Sequence, residues 1–499
     1  MSRRLGVLAM VIFALLTLVV LQAFNVQYLR APALNASPIN PRNSSVAANL
    51  ARGTIYAADG SVLAESVPTS PGSSNYRRIY PYGSLMSGVV GFSSPTYGLW
   101  ALEAQYNSYL TPHSQPPSSF EQLLAPSSGA DSVTLTILPA LERVAARYLA
   151  GQDGAVVVLD PRNGDVLAMY SNPTYNPVPL TSLSYAVASA AWKKDTTNNA
   201  NGFPPLGSVA TQQTFPPGST FKIITTSAVV TKRPDLFLKQ YPVHQYINLP
   251  NSNQRFYNFA HSSCGGDIPE MLPPSCDTGF ALVGLDLGAN LLAATANTFG
   301  VNETPPIDFP GTVKSYFPPA SSLVNNLPFV AYSAIGQGNV RLTALQNAMV
   351  AAAVANHGVM MSPHFLSEVT GPNGAVVKHY KDSVWKTPLQ PSQAAQIVPL
   401  MENVAKYGTA AGLFPPADLV GAKTGTSQVG NKANNTDDWM ISFAPGNAPT
   451  VAAAVVLPFQ PSTQEGATAA GPVMKCVIEA ALALQAGKPA SGTATTCPS

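Results

Sequence analysis

The chain has 499 residues, enough for two or more domains, and 27 basic against 25 acidic side chains leave a net charge of only +2. The absence of a basic run argues against a nucleic-acid-binding protein. A charged fraction of 10% with 46 prolines points to loop-rich, extended segments between packed elements.

Arg3 and Arg4 precede an almost unbroken apolar run, residues 5–24, with only Thr17 and Gln22 polar. That is about the ~20 residues needed to cross a bilayer. Arginines on the short side predict a cytoplasmic tail of residues 1–4, with the rest of the chain outside the membrane. A cleaved signal peptide is the competing reading, but no clear A-x-A-like site follows the run. Residues 25–49 are rich in Pro, Asn and Ser and read as a juxtamembrane linker. Alternation on both sides of Asp59-Gly60 predicts a hairpin over residues 52–64. A helix is expected over the stretch from Tyr97 to Leu110, a Pro/Ser-rich loop over 112–130, a strand over 132–137 and a helix after Pro139. Two apolar strands, 154–160 and 165–170, flank Asn163-Gly164 and read as the first hairpin of a main sheet. Residues 180–210 are polar with helical pieces, 325–356 form a long Ala-rich buried helical region beyond residues 335–338, and a strand at 451–457 and a helix at 467–484 close the fold.

Four cysteines in an exported chain permit two disulfides in three connectivities; proximity in sequence favours Cys264–Cys276 and Cys476–Cys497. His261 near Cys264 lacks zinc-site spacing, so neither metal nor cofactor is expected.

The chemistry centres on Pro216-Pro217-Gly218-Ser219-Thr220-Phe221-Lys222, which runs into an apolar, helix-length segment. Ser219 and Lys222 are three apart and share a face of the first turn. A serine hydroxyl needs a base to become a nucleophile, and a lysine whose pKa is lowered by burial can be that base. A capping serine with a solvated lysine is the plain alternative, since S-x-x-K alone is expected about once by chance in a chain this long. Two further stretches shift the balance. Lys423-Thr424-Gly425-Thr426 lies on a predicted strand followed by a second, and Ser275-Cys276-Asp277 lies some fifty residues after Ser219. The order S-x-x-K, S-x-D, K-T-G is the order of the catalytic motifs of penicillin-binding proteins and class A β-lactamases.

On these motifs the chain resembles the monofunctional class B penicillin-binding proteins, most closely the shorter actinobacterial A type, over nearly its whole length. Arg52-Gly53 with Asp59-Gly60, and Gly98-Leu99 with Glu103, resemble that family's pedestal. The resemblance implies an α+β fold: an antiparallel sheet with helices plus an all-helical subdomain, preceded by the transmembrane helix (5–24) and an elongated pedestal (50–140). The transpeptidase domain would span 141–487 and a loose tail 488–499. It implies Ser219 as acylated nucleophile, Lys222 as its base, Ser275 as proton relay and Lys423 as a source of positive field. Thr424, Gly425 and Thr426 would hold the donor peptide, and the backbone N–H groups of Ser219 and Thr426 would form the oxyanion hole. The implied ligands are D-Ala-D-Ala stem peptides, an amine acceptor and β-lactams, and the implied partner is a membrane glycosyltransferase. The alternatives are a D,D-carboxypeptidase or a catalytically weak scaffold of the wall machinery. One departure stands out: the second motif ends in Asp277 where the family usually has asparagine. An ionised carboxylate accepts hydrogen bonds but cannot donate one, and beside Lys222 it would favour the charged lysine.

Overall fold

The computed structural model describes residues 2–26, 30, 51–114, 128–253, 255–429, 435–490 and 497. Most of the expected linker, part of the expected 112–130 loop and most of the tail therefore lie outside the described residues.

Helix α1, Ser2–Phe24, is 23 residues long, or about 34 Å at 1.5 Å per residue. Its described apolar side chains, from Val7 to Phe24, are largely exposed. Asp277–Thr298 is also long and apolar enough to cross a bilayer, yet more than half of it is buried inside the protein, as befits a core helix.

Residues 52–64 form the expected hairpin. Strands β1, Ile55–Tyr56, and β2, Val62–Pro68, pair antiparallel, and β3, Tyr76–Ile79, adds to β2. Strand β4, Ser132–Leu135, pairs parallel with β1. Helix α2, Pro139–Tyr148, starts where the proline predicts. The next hairpin is β5, Gly154–Leu159, with β6, Val166–Asn172. Helix α3, Lys222–Lys232, carries the apolar run after the motif serine, and α4, Asp277–Thr298, follows the second motif. The expected long helical region beyond 325 is two helices, α5, Leu327–Ala334, and α6, Ala344–Ala355. Gly336 and Gly338, both at positive φ, break it between them. Strands β7, Leu366–Thr370, and β8, Val376–His379, extend the first sheet beyond β4, giving the order β8-β7-β4-β1-β2-β3. After helix α7, Pro391–Lys406, come β9, Gly421–Gln428, β10, Asn435–Ala444, β11, Val451–Pro461, and helix α8, Ala470–Gln485.

The second sheet runs β6-β5-β11-β10-β9, antiparallel throughout. Its period-2 alternation divides the core. Val157, Ile441, Ala452 and Ala454 join the cluster that contains α6, whereas Val156, Met440, Ala453 and Val455 join the one that contains α8. Both faces are covered, so β11 reads Val-Ala-Ala-Ala-Val-Val-Leu without polar interruption. Every residue of helix α6 is buried, so it is apolar on nearly all sides, and its two polar side chains, Gln346 and Asn347, bond the Phe299 carbonyl and Thr220 Oγ1. Strand β9 is the sheet's edge.

A buried ion network ties the first sheet together. Glu103 bonds Arg52 Nη2 at 2.9 Å and Arg78 Nε at 2.6 Å, all three being buried. Burial alone would push Glu103 up, but the two guanidiniums hold it below its ordinary value.

A second buried acid has no cation. Glu142 on α2 accepts the Met169 N–H through one oxygen, and its other oxygen has no partner. Burial pushes it up to about 8 from 4.5. Its contribution to stability is fully present below about pH 4.5 and is lost as pH rises toward 8, because the unfolded chain ionises first. Glu142→Gln mimics the neutral carboxyl and is expected to leave stability unchanged near pH 4. Near pH 7.5 it should raise stability by on the order of 3 kcal/mol. Urea unfolding at the two pH values checks this; an equal effect at both would show that Glu142 does not ionise out of register with the unfolded state.

Candidate active site

The nucleophile turn is built by its neighbours. Residues Gly218–Phe221 form one 3₁₀ turn that hands over to α3 at Lys222. Side chains three apart eclipse in such a turn, which stacks Lys222 under Ser219. Gly218 has φ +53°, and a Cβ there would come within 2.8 Å of the Thr426 carbonyl oxygen. Gly425 has the same reason to lack a side chain: its Cβ would meet the Pro217 carbonyl at 2.6 Å. The Pro216 carbonyl accepts from Trp439 Nε1 at 2.9 Å and Ser427 Oγ at 2.6 Å, and the Gly336 carbonyl accepts the Gly218 N–H at 3.0 Å. Thr220 Oγ1 donates to Pro217 O and accepts from Asn347 Nδ2. The serine therefore sits on a frame pinned from β9, β10, α6 and the 335–338 turn.

The second motif is equally constrained. Ser275 holds φ +62°, rare for a residue with a side chain, and Cys276 is the N-cap of α4. The structure joins Cys264 to Cys276 and Cys476 to Cys497. The first bond closes a 12-residue separation directly beside Ser275, a loop size for which the entropic model gives roughly 2–3 kcal/mol. Asn258 Oδ1 accepts the Thr278 N–H at 2.7 Å and fixes the first turn of α4.

These frames bring five expected side chains together. Lys222 Nζ donates to Asp277 Oδ1 at 2.7 Å, to the Ser275 carbonyl at 2.7 Å and to Ser275 Oγ at 3.3 Å. Lys423 Nζ donates to Ser275 Oγ at 2.8 Å and to Thr424 O at 3.0 Å. Ser219 Oγ makes a long 3.5 Å bond to Asp277 Oδ1. Asp277 thus faces the cleft, and its oxygen lies between the serine and Lys222.

Both lysines are fully buried. Burial pulls Lys222 below its ordinary value, with the Asp277 charge and hydrogen bond opposing. Asp277 acts in the sign expected from the sequence, but desolvation outweighs it. Lys423 lies well below its ordinary value through burial and then the neighbouring Lys222 charge, with Asp277 opposing. Two ammonium groups sharing one carboxylate in a buried site favour loss of a proton, which is what a base for Ser219 requires.

Alternation on β9 puts Thr424 and Thr426 on the face opposite Lys423, Gly425 and Ser427. Thr426 Oγ1 accepts the Gly466 N–H at 2.9 Å, leaving its proton to donate. Thr424 Oγ1 lies 2.6 Å from Thr409 Oγ1. Thr409, whose N–H bonds the Pro273 carbonyl, is a contact that no sequence motif signalled, and it links the second-motif loop to β9. Thr409→Val keeps the shape and removes the hydroxyl. One neutral hydrogen bond is worth about 1 kcal/mol, so acylation should slow about fivefold with Lys222 chemistry unchanged. Penicillin acylation rates of the two proteins across pH test this, and a shifted pH profile would show that Thr409 acts on the lysines instead.

The penicillin binding protein transpeptidase domain model matches residues 154–479, and the penicillin binding protein A dimerisation domain model matches residues 52–137. The chain belongs to the penicillin-binding protein transpeptidase family. This penicillin-binding protein is 33% identical to the peptidoglycan D,D-transpeptidase PbpA of Mycobacterium tuberculosis, over 97% of this chain and 99% of the relative. It is also 33% identical, over the same shares, to PbpA of Mycolicibacterium smegmatis. The penicillin G acyl-enzyme complex of penicillin-binding protein A from M. tuberculosis superposes with a TM-score of 0.78 at 31% identity, covering 87% of this chain and all of that one. The D,D-transpeptidase domain of a peptidoglycan glycosyltransferase from Eggerthella lenta gives 0.76 at 29%, covering 88% and 99%. The α+β fold implied by the family resemblance is the fold of this penicillin-binding protein.

Proposed function

We propose that the chain is a serine D,D-transpeptidase that cross-links peptidoglycan stem peptides and is acylated by β-lactams. The observation that carries this is the cluster of Ser219, Lys222, Ser275, Asp277 and Lys423 beside the free edge of β9. In this reading the donor peptide lies along β9 as an added strand, its terminal carboxylate near Thr424, Gly425 and Thr426. Ser219 Oγ attacks the carbonyl of the penultimate D-Ala and gives its proton to Lys222. The N–H groups of Ser219 and Thr426 hold the oxyanion. Ser275, bonded to both lysines, passes a proton to the departing D-Ala amine. An amine from a second stem then attacks the acyl-enzyme and frees Ser219.

Residues 5–24 would anchor the protein in the cell membrane, with a pedestal over 50–140 and the transpeptidase domain over 141–487 held outside. A membrane glycosyltransferase that makes the glycan strand is the partner this arrangement suits. The position of Asp277 supports a second reading, a slow enzyme or scaffold. Incubating the purified full chain with a stem peptide ending in D-Ala-D-Ala and an amine acceptor separates the readings by mass spectrometry. Cross-linked product supports transpeptidation, hydrolysed product alone supports a carboxypeptidase, and no turnover supports the scaffold.

A further inference from the structure

A cavity of about 230 Å³ opens beside β2 and β3, away from the Ser219 cluster, none of whose residues lines it. Arg52, Arg77 and Arg78 line it, together with hydroxyl and amide side chains such as Ser66, Thr69 and Asn75 and with Pro95 and Leu183 on its apolar side; no carboxylate does. Glu103 neutralises one of the three guanidiniums, and Arg77 is exposed and unpaired among the described residues. Arg78 commits Nε to Glu103 and Nη1 to the Arg52 and Gly53 carbonyls and Ser66, yet its Nη2 is buried without a partner. Ser66 Oγ accepts from the Arg52 N–H and from Arg78 Nη1, so its own proton is available to a ligand. An orphaned guanidinium donor costs free energy unless an acceptor reaches it, and two uncompensated positive charges select the sign of that acceptor. The volume lies below the range that takes a whole drug-sized ligand, so it suits a single charged group.

We propose that this cavity is an oxyanion site, taking a carboxylate or phosphate group carried on a small polar molecule. It is separate from the acylation site and does not depend on the reaction proposed there.

The test is calorimetric titration of the full chain in detergent, at constant ionic strength, with inorganic phosphate in one arm and N-acetylmuramic acid, a sugar carboxylate, in the other. Saturable binding of either near the millimolar range is expected, and the stronger arm names the group. Arg77→Gln leaves the Glu103 network untouched and should weaken binding about tenfold or more while penicillin acylation keeps its wild-type rate. Absence of saturable binding in both arms, or equal affinity in Arg77→Gln, overturns the proposal.

Discussion

Ser219→Ala is expected to lose covalent penicillin labelling completely while keeping its fold. The hydroxyl makes one side-chain contact, the 3.5 Å bond to Asp277, so its removal should change stability by no more than about 0.5 kcal/mol. Ser275 cannot substitute as nucleophile, because its oxygen already accepts from both Lys222 and Lys423. Intact-protein mass spectrometry after penicillin gives the answer directly; a stable adduct on the alanine variant sinks the assignment. Lys222→Met extends the test. It fills the buried volume, removes the base and should slow acylation by about 10²–10⁴-fold. A near-normal rate would remove Lys222 from the proton path.

Asp277→Asn should move the pH dependence of acylation rather than merely scale it. The base must be neutral, and Lys222 becomes neutral as pH rises through its pKa. Asp277 raises that pKa against the larger effect of burial. Taking the charge away leaves burial unopposed, so the acid limb of the rate profile should shift to lower pH. The variant should then be faster than wild type on that limb and converge with it where Lys222 is already neutral. One charge at hydrogen-bond distance shifts a partner by about 1–3 pH units, so the gain there should be about tenfold or more. Second-order acylation rates from about pH 5 to 9 decide it. A variant slower at every pH would mean that the carboxylate serves Ser219 itself, through the 3.5 Å contact.

The five clustered side chains were legible because each sits in a short motif whose order is informative, and the 154–170 hairpin because apolar alternation flanks an Asn-Gly turn. Thr409, Trp439, Ser427 and Asn347 were not legible as site residues. Each acts through one or two hydrogen bonds to a backbone carbonyl or hydroxyl brought near only by the fold, and no periodicity marks such a contact. The 325–356 region read as one helical stretch because alanines dominate it; the break at Gly336 exists so that its carbonyl can take the Gly218 N–H. The contribution of Asp277 was legible in sign, but the outcome at Lys222 was not, since burial is set by tertiary packing. Strands β7 and β8 were missed because nothing local shows that residues 366–379 pair with residues near 133.

That last pairing has a bearing on how the protein comes to be made. Strand β4 lies between β1, within its own stretch of sequence, and β7, which is synthesised more than two hundred residues later. As the chain emerges, the sheet of β1 to β4 is left open at β4, in addition to its permanent edge at β3, through most of synthesis. It cannot close until the Ser219 helix and both halves of the 325–356 region have followed. Long-range pairing of this kind is slow, and unpaired edges invite association with other chains. A nascent chain stopped before residue 366 should therefore need chaperone protection, and residues 50–140 expressed alone should aggregate where the whole chain stays dispersed.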